Sequence, residues 1–310
     1  MEIKNDKMID FAPISLEDRA FYEPYLAAEK ERGCEFSFVN LYLWGRQSLA
    51  YRSGHALMFS QFNRRSVYPY PIGNGDKKDV LDLIIDDAKA RGIPCRITGL
   101  LSSDCAVLEA LYPNRFRFHA DEDGFDYVYA IDDLADLPGK KYHGKRNHLN
   151  RFAEAYPNYR VEPIEESNLP RVKEMLSQWY QHRLEESPYG DYHMEQAALE
   201  RAFRDYDALG MEGLVLLGGE DVLGFTIASR PQEDTFDVHF EKAVSDVQGA
   251  YAAINYEFAR YIRQKYPSVR YLNREDDMGL EGLRKAKRSY HPHHMIEKFW
   301  ACLLEDGYDY

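Results

Sequence analysis

Long apolar runs are missing from this chain of 310 residues, and so is any excess of positive charge. No stretch approaches the ~20 consecutive apolar residues that a bilayer-spanning helix needs. The opening MEIKNDKMIDFAP has no apolar core of the kind a secretory leader carries. Lysine and arginine number 39 against 52 aspartates and glutamates, a net charge of −13. Such a surface repels backbone phosphates over most of its area, which excludes an extended nucleic-acid face but leaves room for a local basic site. Cysteine is scarce: Cys34, Cys95, Cys105 and Cys302 form no CxxC pair. Neither a disulfide framework nor a zinc site is expected, and a cytoplasmic setting is. Also absent are a Gly-Lys-Ser/Thr phosphate loop, a Gly-x-Ser-x-Gly elbow and a His-Glu-x-x-His motif. His291, His293 and His294 straddle Pro292 and share no regular face, so no metal is expected there.

What the chain does have is enough apolar material, 45%, for two cores, and a well-charged surface, with 29% charged residues. Tyrosine is abundant, at 24 residues with 16 Phe and 3 Trp. An apolar ring with a polar tip suits half-buried packing in mixed sheets.

The two halves share one grammar. In the first, Ala56–Ser60 and Ser66–Tyr70 read as strands, a loop at Pro71–Gly75 opens a helix over Lys78–Arg91, and Gly92 ends it. A strand at Pro94–Thr98, a helix over Ser103–Tyr112 and a strand pair, Arg115–His119 and Asp126–Ile131, follow. In the second, Gly213–Leu217, Val222–Ser229 and Thr235–Lys242 are strands and a loop at Gly249 opens a helix to Tyr266. Val269–Asn273, a basic helix over Gly279–Tyr290 and a closing strand at Met295–Leu304 complete it. Asp132–Tyr142 reads as a linker. The expected architecture is a mixed α/β protein of two similar units, 1–137 and 138–310.

This order resembles the GNAT acyltransferase fold, whose strand-to-helix loop lends backbone N–H groups to the pyrophosphate of acyl-coenzyme A. The chain departs from the GNAT loop signature: the second half has Val244-Ser245-Asp246-Val247-Gln248-Gly249-Ala250, with one glycine and an acid, and the first has Gly73-Asn74-Gly75-Asp76. Three further blocks resemble the C-terminal domain family of phosphatidylglycerol lysyltransferases, which are tandem GNAT-fold units related to Fem-type aminoacyl transferases. They are Cys34–Leu41 with Trp44, Lys141–Phe152, and Tyr271–Asp276 continuing through Gly279, Leu283–Lys287, Tyr290 and Pro292. The membrane-spanning half of the lipid enzymes is not seen, so a stand-alone member is expected. The resemblance implies an acyl or aminoacyl transferase, with aminoacyl-tRNA or acyl-coenzyme A as donor and a peripheral lipid contact as one further partner.

Read as chemistry, Lys140–Arg151 holds five basic side chains and no acid, a local inversion of the overall charge. Lys141, His143, Lys145 and Arg146 are its candidate anion ligands. Arg284, Lys285 and Lys287 form a second cluster on the basic helix, and Arg284, Lys287 and Arg288 share a face. Asn273, Arg274 and Glu275 end a strand where α/β folds place ligand contacts: Arg274 can grip a carboxylate and Glu275 an ammonium. His239 and Glu241, two apart on one strand face, are candidate general bases. Gln248, Gly249, Ala250 and Tyr251 would line an acyl-coenzyme A loop, and Asn255 and Tyr256 a cleft. The expectation is direct transfer to an amine or hydroxyl at an anion-binding cleft between the units. The rivals are a non-catalytic sensor of an anionic metabolite and an acetyl-coenzyme A-dependent N-acetyltransferase.

Overall fold

Residues 8–62, 65–186 and 192–304 are described in the structure, a computed structural model. The chain divides into two compact units, Met1–Phe125 with Ile296–Tyr310, and Asp126–Met295. In the first, β1 (Ala12–Pro13), α1 (Arg19–Ala27) and α2 (Phe38–Trp44) precede β2 (Gln47–Arg52), β3 (His55–Phe62), β4 (Arg65–Pro69) and β5 (Ile72–Gly73). Then come α3 (Lys77–Arg91), β6 (Arg96–Leu100), α4 (Ser102–Leu111) and β7 (Phe116–Ala120). Local chemistry sets the helix ends. The Asp76 side chain accepts the Asp79 N–H at the start of α3, and Gly92, left-handed at φ 67°, closes it.

The second unit runs β8 (Asp126–Ala130), α5 (Ile131–Asp136), α6 (His143–Ala155), β9 (Arg160–Pro163), α7 (Leu169–Glu186) and α8 (His193–Arg204). It continues with β10 (Glu212–Gly218), β11 (Asp221–Gln232), β12 (Thr235–Ala243), α9 (Ala250–Lys265), β13 (Tyr271–Asn273), α10 (Glu281–Arg288) and β14 (His294–Ile296). The final strand is β15 (Phe299–Leu303).

The first sheet has the order β1-β2-β3-β4-β6-β15-β7, with β5 paired to β3, and the second β14-β8-β13-β12-β11-β10-β9. The path β2-β3-β4-β6-β15-β7 therefore matches β10-β11-β12-β13-β8-β14 position by position. In both sheets one parallel pair, β4 with β6 or β12 with β13, joins the antiparallel meander to the remaining strands. The outcome corrects the linear reading in one respect. Asp126–Ile131, expected to close the first half, lies antiparallel to β13 in the second sheet, with Leu272 opposite Tyr129. Met295–Leu304, expected to close the second half, contributes β15 to the first sheet, antiparallel to both β6 and β7. Hydrophobic alternation specifies a strand but not its partner, and chain order was a poor guide to both vacancies. The expected linker Asp132–Tyr142 is likewise partly helical: α5 buries Ile131, Leu134 and Ala135. The boundary expected at 137/138 moves accordingly to the two chain crossings of these strands.

The second core gathers Tyr127, Tyr129 and Ile131 with Phe236, Leu272 and the inner face of α9, including Ala253, Phe258 and Ile262. Fully burying an aromatic or branched side chain of this kind stabilises by about 1.5–3 kcal/mol. Tyrosine serves as its composition predicts. Tyr127, Tyr129 and Tyr142 are buried as rings, while their hydroxyls reach Asp277 Oδ2, the Lys287 carbonyl and the Tyr290 carbonyl at 2.6, 2.8 and 2.9 Å.

The strand exchange makes a decisive expectation. A chain ending at Met295 leaves β6 and β7 without the strand between them. Limited proteolysis of that truncated chain should cut within residues 1–125 and spare 126–295. Protection of 1–125 with cleavage in the second unit would instead favour the linear assignment.

Candidate functional site

Parallel pairing of β12 with β13 sets Thr235 beside Tyr271, Phe236 beside Leu272 and Asp237 beside Asn273. The chain leaving β13 at Arg274 therefore runs alongside the second half of β12, where an extra residue at His239, between Val238 opposite Ala228 and Phe240 opposite Ile227, breaks the period of two expected to put His239 and Glu241 on one face. α9 presents Asn255 to the same spot. Arg274 Nη2 donates to Glu241 Oε1 at 2.7 Å, and Asn255 Nδ2 donates to Glu241 Oε2 at 3.3 Å. The Arg274 guanidinium also lies over the rings of Tyr129 and Tyr290, 5.6 and 5.1 Å from their centroids. From α6, Lys145 Nζ stands 3.7 Å from the Tyr290 ring centroid.

The Arg274 and Glu241 side chains are only 13% and 10% exposed, so this is a largely desolvated pair. Two buried atoms beside it have no hydrogen-bond partner among the described residues, Arg274 Nη1 and Asn255 Oδ1. Since Asn255 must turn its NH2 toward the Glu241 carboxylate, its oxygen necessarily faces away as an acceptor. A buried polar atom left without a partner costs about 1–3 kcal/mol. One orphan donor and one orphan acceptor thus lie on the two groups that flank a single carboxylate.

Burial, reinforced by the Arg274 cation and opposed by Glu241, lowers the Lys145 ammonium to about 8. Burial would weaken the Arg274 charge, but Glu241 and the two tyrosines outweigh it and raise its pKa. Burial pushes the Tyr290 phenol up to about 12, against Arg274 and with Glu241.

His239 plays a different part from the one expected. Its Nε2 lies 2.7 Å from Ser229 Oγ and its Nδ1 3.0 Å from Glu275 Oε1. Both ring nitrogens are thus engaged within the protein, and the side chain is 1% exposed. Its geometry is that of a connector, not of a base open to substrate. Burial, opposed by Asp237, brings its pKa down to about 4.

The two basic clusters also behave differently from their linear reading, because carbonyls and the buried Asp277 claim Arg146, Arg284 and Lys287. Lys287 directs its ammonium to the carbonyls of Arg274, Glu275 and Asp276. Arg284 grips the buried Asp277 with two bonds of 2.8 Å. That grip, joined by Tyr127 and the Gly279 N–H and opposed by burial, holds Asp277 to about 2. Arg146 donates to the Leu137 and Gly139 carbonyls past the end of α5. Lys141 pairs with Asp133 at 3.1 Å, exposed His143 contacts Asn147 at 3.2 Å, and Lys285 is exposed. Of the twelve-residue basic block, the cation at Arg274 is Lys145. Asn273 is buried, its amide on Asp126 Oδ2 at 2.9 Å.

At Gln248–Tyr251, Gly249 has φ 86° and opens α9. A Cβ there would lie 2.4 Å from the His148 carbonyl oxygen, so an acceptor already faces this backbone. The Ala250 N–H is taken by Val247 O at 3.2 Å, and Asp246 is 86% exposed close by. An acceptor, an acid and a spent donor do not fit a pyrophosphate. Sequence reading singled out Arg274, Glu241, Lys145 and Asn255 but not Ser229 or Tyr129, which are indistinguishable by pattern from ordinary strand residues.

The His239 environment has a measurable consequence. The unfolded chain takes up this proton near 6.5 and the folded chain only near 4. Stability therefore falls as pH drops through that window and is insensitive to this group above it. The window is worth on the order of 3 kcal/mol at most. Chemical denaturation of wild type and His239→Gln at pH 4.5, 5.5 and 6.5 should show a shallower acid loss in the variant. Equal slopes would refute the burial argument.

A family model described as phosphatidylglycerol lysyltransferase, C-terminal, matches residues 27–302. A protein of unknown function from Bacteroides thetaiotaomicron is similar at 38% identity and TM-score 0.89, over 96% of this chain and 100% of its own. L-PGS from Bacillus licheniformis follows the same fold at 16% identity and TM-score 0.67, over 94% and 93% of the two chains. A tandem GNAT protein from the clavulanic acid biosynthesis pathway does so at 10% identity and TM-score 0.52, over 96% and 99%. In sequence, an uncharacterized Mycoplasmoides gallisepticum protein is 24% identical over 59% of this chain, which spans 58% of the length of that curated relative. Among the described residues no helix is long and apolar enough to cross a membrane. With its tandem GNAT fold and a match across most of its length, the chain belongs to the phosphatidylglycerol lysyltransferase C-terminal family.

Proposed function

We propose that the second unit transfers an acyl or aminoacyl group to an amine or hydroxyl acceptor at the Glu241–Arg274–Asn255 cluster. The observation that carries this reading is the pair of orphan atoms, Arg274 Nη1 and Asn255 Oδ1. An aminoacyl ester offers the matching groups: a carbonyl oxygen for the guanidinium and an ammonium for the amide oxygen and Glu241. The acceptor's amine or hydroxyl attacks the ester carbonyl, and Arg274 Nη1 donates to the oxygen as negative charge builds on it. Neutral Lys145 takes the proton lost by the nucleophile. A new C–N or C–O bond forms, the ester C–O bond breaks, and the departing hydroxyl regains a proton. No covalent enzyme intermediate is needed. Ser229 is 2% exposed and held by His239, and all four cysteines lie in the first unit.

Family membership supports aminoacyl-tRNA as donor, and the family's name makes lysine the first amino acid and phosphatidylglycerol the first acceptor to test. The poor fit of Gln248–Tyr251 to a pyrophosphate weighs against an acetyl-coenzyme A-dependent acetyltransferase. The other rival, a sensor without catalysis, differs in binding the donor without consuming it.

An amide-linked lysyl-adenosine, which cannot transfer its lysyl group, tests the site by calorimetric titration. Arg274→Ala and Glu241→Gln should weaken its binding by about 1.5–3 kcal/mol, or roughly 10–150-fold, in addition to the stability lost by leaving the other charge buried without its partner. A large drop in melting temperature with unchanged affinity would make the pair structural only. In turnover with lysyl-tRNA, the rate should climb with pH through about 8 as Lys145 becomes neutral, and Lys145→Met should abolish that limb. An unchanged pH profile in that variant would remove Lys145 from the mechanism.

A further inference from the structure

The guanidinium of Arg274 is held at its far end by Glu241, but its backbone is held by something else. Arg274 N–H donates to the Tyr127 carbonyl at 2.9 Å. The next residue, Glu275, has φ 57°, in the left-handed region that a side-chain-bearing residue seldom occupies. That conformation turns the carbonyls of residues 274, 275 and 276 to one side, and all three accept from the single ammonium of Lys287. An ammonium has three donors, so the arrangement saturates it. Lys287 is 8% exposed, although it sits on a helix whose neighbours Lys285 and Arg288 are exposed. From the other side, Glu275 N–H reaches Asn273 Oδ1 at 2.8 Å and its carboxylate meets His239 Nδ1 at 3.0 Å.

We propose that Lys287 is a positioning residue: a buried cation that clamps the 274–276 turn in its left-handed form and thereby aims Arg274 at Glu241 and Lys145. A phosphate ligand would have to displace three carbonyls to reach it, so its place in the sequence motif reflects this internal task. The buried His239–Glu275 contact is the opposing jaw of the same clamp. The consequence for catalysis rests on the transfer reading above, but the clamp itself does not.

Lys145 reports on the clamp without any ligand, because the Arg274 cation is one of the two causes that lower its ammonium. The full-length protein is labelled with carbon-13 lysine, and the Lys145 side-chain signal, assigned by its loss in Lys145→Met, is titrated by NMR. In wild type the midpoint should lie near 8. In Lys287→Met, which keeps the apolar stem and removes the three donors, the midpoint should rise by about one unit or more as Arg274 leaves. Exposed Lys173→Met should leave it in place. If Lys287→Met does not fold, as judged by circular dichroism, Glu275→Gln tests the other jaw and should move the midpoint in the same direction. A midpoint unchanged in a folded Lys287→Met protein, or in Glu275→Gln where that variant must stand in, overturns the proposal. Loss of lysyl-adenosine binding in Arg274→Ala is read separately, so a sound clamp with no donor binding would refute the transfer reading alone.

Discussion

Three residues of parallel ladder between β12 and β13 set up everything else in the second unit. The register that places Asp237 beside Asn273 carries the following residues past His239 and Glu241 at side-chain distance. A slip of one residue would turn Arg274 and Glu275 to the opposite face and leave two acids and a cation to be buried apart. Isolated charges in a low-dielectric site cost several kcal/mol each. The register is therefore enforced by charge as well as by the apolar residues Phe236 and Leu272.

A buried ion pair is by itself a poor stabiliser, since desolvation consumes most of what the pairing returns. The Glu241–Arg274 pair is poorer still, because it leaves a guanidinium donor and an amide acceptor unsatisfied. The left-handed backbone at Glu275 adds roughly 1–2 kcal/mol of strain. The guanidinium and the strained backbone fall within one short stretch, residues 273–277, and the same stretch gathers bonds from Asn273, Lys287, His239 and Tyr127. Strain kept in place by surrounding bonds is what preorganisation requires of a binding site.

Much of this was legible in the sequence, and the illegible part has a physical reason. Strand and helix periodicity located β10 to β13 and α9 nearly residue by residue, and Gly92 marked the end of α3 as predicted. Arg274, Glu275, His239 and Glu241 were legible as a group because strand ends of this fold gather ligand groups, and the contacts of Arg274 with Glu241 and of Glu275 with His239 join them. What sequence could not express was demand. Whether Lys287 meets a ligand or a carbonyl depends on where residues 274–276 turn, and Arg284 is committed by an Asp277 buried to 0% exposure. Counting charges along the chain treats each cation as available, whereas folding commits Arg146, Arg284 and Lys287 to internal acceptors.

The exchanged strands show the same limit at the level of the sheet. β8 carries Tyr127 and Tyr129, whose hydroxyls serve Asp277 and Lys287 and whose backbone receives Arg274. Placing this strand beside β13 is thus a condition of the site as much as of the sheet. Tyr129 forms one wall of the guanidinium, and Tyr127 supplies the carbonyl that meets Arg274 N–H. A strand that precedes every other element of the second unit in the chain supplies contacts that its position gives no reason to expect. The site on the second repeat therefore cannot be assembled from the second half of the sequence alone.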